Sequence, residues 1–91
     1  MSPDTDDSLR LWLVHRTYDD KGLISLVYAT EDGARYLPKE RSTAALGRIP
    51  TTAAISADPA NVYDVADEET RERYEKEAAR MAERHDPDDE V

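Results

Sequence analysis

The stretch that decides the fold is Leu23-Ile24-Ser25-Leu26-Val27-Tyr28-Ala29-Thr30-Glu31-Asp32-Gly33-Ala34-Arg35-Tyr36-Leu37. Eight residues rich in β-formers run into an Asp-Gly pair, and a shorter β-prone run follows, which is the strongest short-range signal for a hairpin. A two-residue turn at Asp32-Gly33 pairs Glu31 with Ala34, and partners then sum to 65. Working back, Leu9-Arg10-Leu11-Trp12-Leu13-Val14-His15-Arg16-Thr17-Tyr18 reads as a strand that ends at Asp19-Asp20-Lys21-Gly22, where Asp and Gly suit the ends of a turn. That turn pairs Tyr18 with Leu23. Pro38, which has no N–H to give a ladder, is expected to mark the end or edge of the third strand.

Working forward, Ser42-Thr43-Ala44-Ala45-Leu46-Gly47 has a capping residue in front and a glycine behind, the marks of a short helical turn. Pro50 to Ser56 reads as a weak fourth strand and Asp58-Pro59-Ala60-Asn61 as a turn. Asp67 is suited to cap a helix whose first turn holds Glu68 and Glu69, and no Gly or Pro interrupts the run to His85. Tyr74, Ala78, Met81 and His85 give that helix a narrow apolar stripe. The expected fold is α+β: a three- or four-stranded antiparallel meander with one long C-terminal helix packed on one face. Residues 9–85 form the domain, between disordered acidic segments at 1–8 and 86–91.

The expected registers sort the side chains into two faces. One carries Leu9, Leu11, Leu13, Ile24, Leu26, Tyr28 and Leu37, a core for the helix to cover, and His15 falls on this side. The other carries Trp12, Val14, Arg16, Tyr18, Val27 and Tyr36, with Trp12, Ala29 and Tyr36 in one row. A patch of this kind calls for a cover, since soluble monomers rarely expose so much contiguous apolar surface. The segment from Ser42 to Val65, a second copy of the chain, another protein, or unpaired bases stacked on the aromatics are the candidates.

Net charge is −9, from 12 Asp and 9 Glu against 3 Lys and 9 Arg. The acid sits mainly at the two ends, while residues 9–48 are net basic through Arg10, Arg16, Arg35, Lys39, Arg41 and Arg48. These six are the candidate anion-binding residues. Dense carboxylate suits molar salt, where a Debye length of about 3 Å screens self-repulsion. The order of Thr17-Tyr18-Asp19-Asp20-Lys21-Gly22-Leu23, Tyr28-Ala29-Thr30-Glu31-Asp32-Gly33, Lys39-Glu40-Arg41-Ser42 and the ending His85-Asp86-Pro87-Asp88-Asp89-Glu90-Val91 resembles short acidic haloarchaeal proteins carrying a domain of unknown function. That resemblance implies a halophilic protein and brings no activity with it.

The catalytic signals are weak. Cysteine is absent, which removes disulfides and thiol chemistry and agrees with a cytoplasmic setting. The acidic N-terminus is unlike a secretory signal, and no apolar run is long enough for a membrane span. The two histidines are far apart, the carboxylate pairs fall in turns, helix starts or tails, and no phosphate-loop, nucleophile-elbow or zinc-protease motif occurs. The expectation is a non-enzymatic protein without cofactor or metal, an interaction module that pairs with itself as a homodimer or with another protein through a sheet face. The alternative is a nucleic-acid-associated or regulatory protein using the basic and aromatic residues.

Overall fold

The computed structural model describes residues 8–42 and 51–91. Strands β1 (Leu9–Tyr18), β2 (Leu23–Ala29), β3 (Arg35–Ser42), β4 (Ala54–Ala57) and β5 (Tyr63–Asp64) form one antiparallel sheet in the order β4-β1-β2-β3-β5. Helix α1 (Glu68–Arg84) follows and packs on one side. The fold is α+β, with β5 added to the expected meander. The expected helical turn after Ser42 falls mainly on residues 43–50, and the expected N-terminal disorder on residues 1–7, both outside the described residues; Ser42 itself ends β3.

The β2–β3 register is the one the Asp-Gly signal predicts, from Leu23 opposite Ser42 to Ala29 opposite Tyr36. The turn itself is wider than expected. Thr30 N–H donates to Arg35 O at 3.0 Å and Gly33 N–H to Thr30 O at 2.8 Å, and only Gly33 has a positive φ, 72°. The Asp32 carboxylate fixes this loop by accepting from Thr30 Oγ1 at 2.6 Å and Ala34 N–H at 3.0 Å. Lengthening the loop by one residue on each side leaves the register intact.

Pro38 does not end β3, which continues to Ser42. The Thr30-to-Arg35 bond sets the alternation of the ladder, so the nitrogen of Pro38 turns away from β2. On that outer side β5 reaches only Arg35 and Tyr36, so the missing N–H costs no sheet bond to it.

At the other hairpin the turn is one residue longer than predicted: Asp19 Oδ1 accepts from Lys21 and Leu23 N–H, Gly22 has φ 87°, and Tyr18 faces Ile24. A β-bulge at Val14 absorbs the difference, because Leu13 faces Tyr28 while His15 faces Val27. Beyond the bulge every side chain of β1 changes sides. Arg16 and Tyr18 therefore share the face of Leu26 and Ile24, and His15 joins Val27 on the opposite one, the reverse of the expected placements.

The leucine face behaves as the expected core, with Leu11, Leu13, Ile24, Leu26 and Tyr28 buried and Leu9, Leu37, Ile55, Ala57 and Val62 packed against them. Of the helix, only Met81 packs against this cluster. The helix's fully buried Ala78 meets Trp12, Ala53 and Ala54 on the other face, where Trp12, Ala29 and Tyr36 do form the expected row. The physical reason is closeness of approach: alanines on both sides of Trp12 let the helix axis come near, and the wide indole fills the space beneath it.

Capping follows the sequence, with Asp67 accepting from Thr70 N–H and Oγ1. At the far end His85 N–H donates to Met81 O. The tail that was expected to be unstructured is docked: Ala53 N–H donates to Asp89 O, Ala54 N–H to Pro87 O and Val91 N–H to Thr51 O. Val91 packs against both hydrophobic clusters, and Arg16 reaches its main-chain oxygen at 3.2 Å. No described helix is long and apolar enough to cross a membrane.

Candidate functional site

Helix α1 crosses only part of its sheet face. Its Arg71 carbonyl and Glu75 nitrogen rest on Gly33, at one end of the strands, so closely that a Cβ at Gly33 would collide with Arg71 O. Arg71 Nη1 also donates to Asp32 O at 3.2 Å. With the helix held at that end, the other half of the face is left open. It carries His15, Thr17, Leu23, Ser25, Val27, Pro38 and Glu40, of which only Val27 is half-buried.

Where this open half meets the helix lies a groove of about 390 Å³ lined by Val14, His15, Arg73, Tyr74 and Glu77. The bulge creates one wall, by turning His15 toward the helix instead of into the leucine core. Tyr74 is held in place by Tyr36, with ring centroids 6.3 Å apart, and Tyr36 in turn contacts Tyr63 at 5.6 Å. The His15 side chain makes no hydrogen bond or ion pair among the described residues, and no described cluster of three or more His, Cys, Asp or Glu could hold a metal.

The six residues expected to form an interaction surface are thus divided. Trp12 is 5% exposed beneath α1 and is not part of an open face. Val14 lines the groove, Val27 lies on the open half, and Tyr36 supports Tyr74. Arg16 and Tyr18 are on the leucine face, where Tyr18 is 63% exposed. His15, Arg73, Tyr74 and Glu77 complete the groove. Tyr74 was visible in the helix stripe, whereas the other three depend on the bulge and on which face the helix chooses.

The basic residues are divided as well. Arg10 faces Ser56 on the helix side, and Arg35 ion-pairs with Asp64 at 3.6 Å. Arg16, Lys39 and Arg41 gather on the leucine face in adjacent rows, opposite Leu26 and Ile24. Arg48 lies outside the described residues. Beside this group, burial pushes the Tyr28 hydroxyl pKa up, and the charges of Arg41 and Arg16 oppose the shift.

A family model covers residues 5–91, nearly the whole of this arrangement. The chain belongs to DUF7967. DUF7967 is described as a family of unknown function. No curated protein and no solved structure matches the chain, so a functional reading of this DUF7967 member has to come from its own surface.

Proposed function

We propose that the protein is a non-enzymatic interaction module that binds a second copy of itself through the open half of the helix-side face. The observation that carries this reading is the groove at the edge of α1, with Val27 and Pro38 in the same row of the sheet as its His15, and Leu23, 40% exposed, two rows beyond. Apolar strand residues in contact with solvent on a sheet of this size favour a cover, and sheet-on-sheet packing supplies one.

A second copy suits the charge pattern. Arg73 and Glu77 stand four residues apart on the same wall of the groove, so a two-fold contact can set Arg73 of one protomer opposite Glu77 of the other. Such self-complementarity matters for a chain of net charge −9, where unpatterned surfaces repel. Catalysis finds less support. The groove is open to solvent, and no described residue hydrogen-bonds the His15 ring to orient it for proton transfer.

Sedimentation velocity in molar KCl, which screens the acidic surface, tests the reading. Wild type is expected to sediment as a dimer and Val27→Asp as a monomer, with an unchanged circular dichroism spectrum. A wild type that stays monomeric at high protein concentration in that buffer would falsify the proposal.

A further inference from the structure

On the opposite face, away from the groove, β1–β3 carry charge of one sign only. Their charged residues on the leucine side are Arg16, Arg35, Lys39 and Arg41, while the sole strand carboxylate, Glu40, falls on the helix side. Asp64 neutralises Arg35. No Asp or Glu side chain lies within ion-pair distance of Arg16, Lys39 or Arg41 among the described residues, in a sequence with 21 acidic side chains, although Arg16 reaches the main-chain oxygen of Val91. Three cations kept clear of so many acidic side chains form a local positive field on an acidic protein.

Two further observations point to what this field receives. Arg41 is half-buried, and its Nε is shielded from solvent without a hydrogen-bond partner. Tyr28 is fully buried on the same face, and its hydroxyl also has no partner. Buried polar groups in folded proteins are nearly always satisfied, and two unsatisfied donors beside cations that have no acidic side chain as partner are suited to an anionic acceptor. The acceptor must be anionic to suit Arg16 and Lys39. It must also be small, because Tyr28 and Arg41 Nε do not reach the surface. A guanidinium fork and a hydroxyl together match the oxygen geometry of a phosphate.

We propose that Arg16, Lys39, Arg41 and the Tyr28 hydroxyl form a binding site for a phosphate-type oxyanion. Arg41 supplies the fork, Tyr28 donates one neutral hydrogen bond from below, and Arg16 and Lys39 close the charge balance from the rim. Arg16 already spends one N–H on the oxygen of Val91, which fixes its position at the edge of the site.

The test is a titration of the full chain with inorganic phosphate, KCl being withdrawn to keep ionic strength constant, followed in amide and arginine Nε–H spectra. Saturable shifts at Leu26, Tyr28 and Arg41 are expected, with affinity reduced roughly tenfold in Arg41→Gln and in Tyr28→Phe. Both variants are first checked by circular dichroism. Tyr28→Phe removes only an oxygen, so it keeps the core filled and reads the hydrogen bond alone. Adenosine monophosphate separates the two sources of this chemistry: displacement of bound phosphate supports a phosphomonoester ligand, and exclusion supports the free ion. Shifts that grow linearly without saturating, or a Tyr28→Phe variant that binds phosphate like wild type, would overturn the site. Sedimentation is not affected by either result, so the site and the self-association stand or fall separately.

Discussion

The two halves of the helix-side face are built from the same three central strands and yet differ in nearly every respect. At the end held by Gly33, Trp12, Ala53 and Ala54 are buried under Ala78, and Ala29 is buried beside Trp12. Past Val14 the same face shows His15, Thr17, Ser25 and Glu40 to solvent. The alternation of side chains cannot produce this contrast alone, since it would have placed Arg16 and Tyr18 on the open half. A single extra residue in β1 does so, by moving the aromatic and the cation to the far side. The lesson is that one bulge can divide a face into a structural half and a displayed half.

The sharpest way to break the comparison is a pair of substitutions. Trp12→Ala is expected to cost about 3–5 kcal/mol by opening a cavity under α1. That is a large part of the 5–13 kcal/mol or so that a chain of this length holds. Val27→Asp, on the displayed half, is expected to cost about 1 kcal/mol. Urea melts followed by circular dichroism measure both, and equal costs would show that the two halves are not distinct.

Next in size is Gly33→Ala. The left-handed backbone strains any side chain there, and the added methyl meets the Arg71 carbonyl, so a loss of about 2 kcal/mol or more is expected in the same melts. If the helix is displaced and not merely strained, Trp12 fluorescence shifts to the red. Removing residues 87–91 has a smaller effect, about 1–2 kcal/mol, from the lost packing of Val91 and the backbone bonds to Thr51, Ala53 and Ala54. Amide shifts confined to 51–54 and the bulge are the expected signature. An unchanged spectrum would mean that the tail does not dock.

The smallest effect is on pH. Hydrogen bonds from Thr30 and Ala34 hold the Asp32 carboxyl below its ordinary value of 3.8, and those from Thr70 lower Asp67 in the same way. A folded-state pKa below the unfolded one stabilises the protein above the unfolded value and loses that contribution as pH falls through the folded value. Melting temperature is therefore expected to decline on acidification from about pH 4. The part of the slope due to these groups should flatten in Asp32→Asn and Asp67→Asn.

How much of this was legible follows from where the information lies. Asp32-Gly33 carried the β2–β3 register because a glycine in the left-handed region is a local demand that the sequence must satisfy. Asp67, Glu68 and Glu69 carried the helix start for the same kind of reason. The bulge at Val14 left no such mark, since an ordinary valine suffices there. The side chosen by the helix was hidden because both faces of the sheet are apolar near Trp12, and only the small volumes of Ala29, Ala54 and Ala78 decide between them. The docked tail was hidden because most of its bonds are made by backbone, to which Asp88, Asp89 and Glu90 give no clue.

Pro38 and the docked tail together set a limit on growth. One margin of the sheet is lined by the tail along 51–54, and the other offers a two-residue strand followed by a proline and the charged side chains of Lys39, Glu40 and Arg41. Among the described residues, the docked tail at one margin and β5 with Pro38 at the other shorten the stretch open to edge-on pairing with another chain.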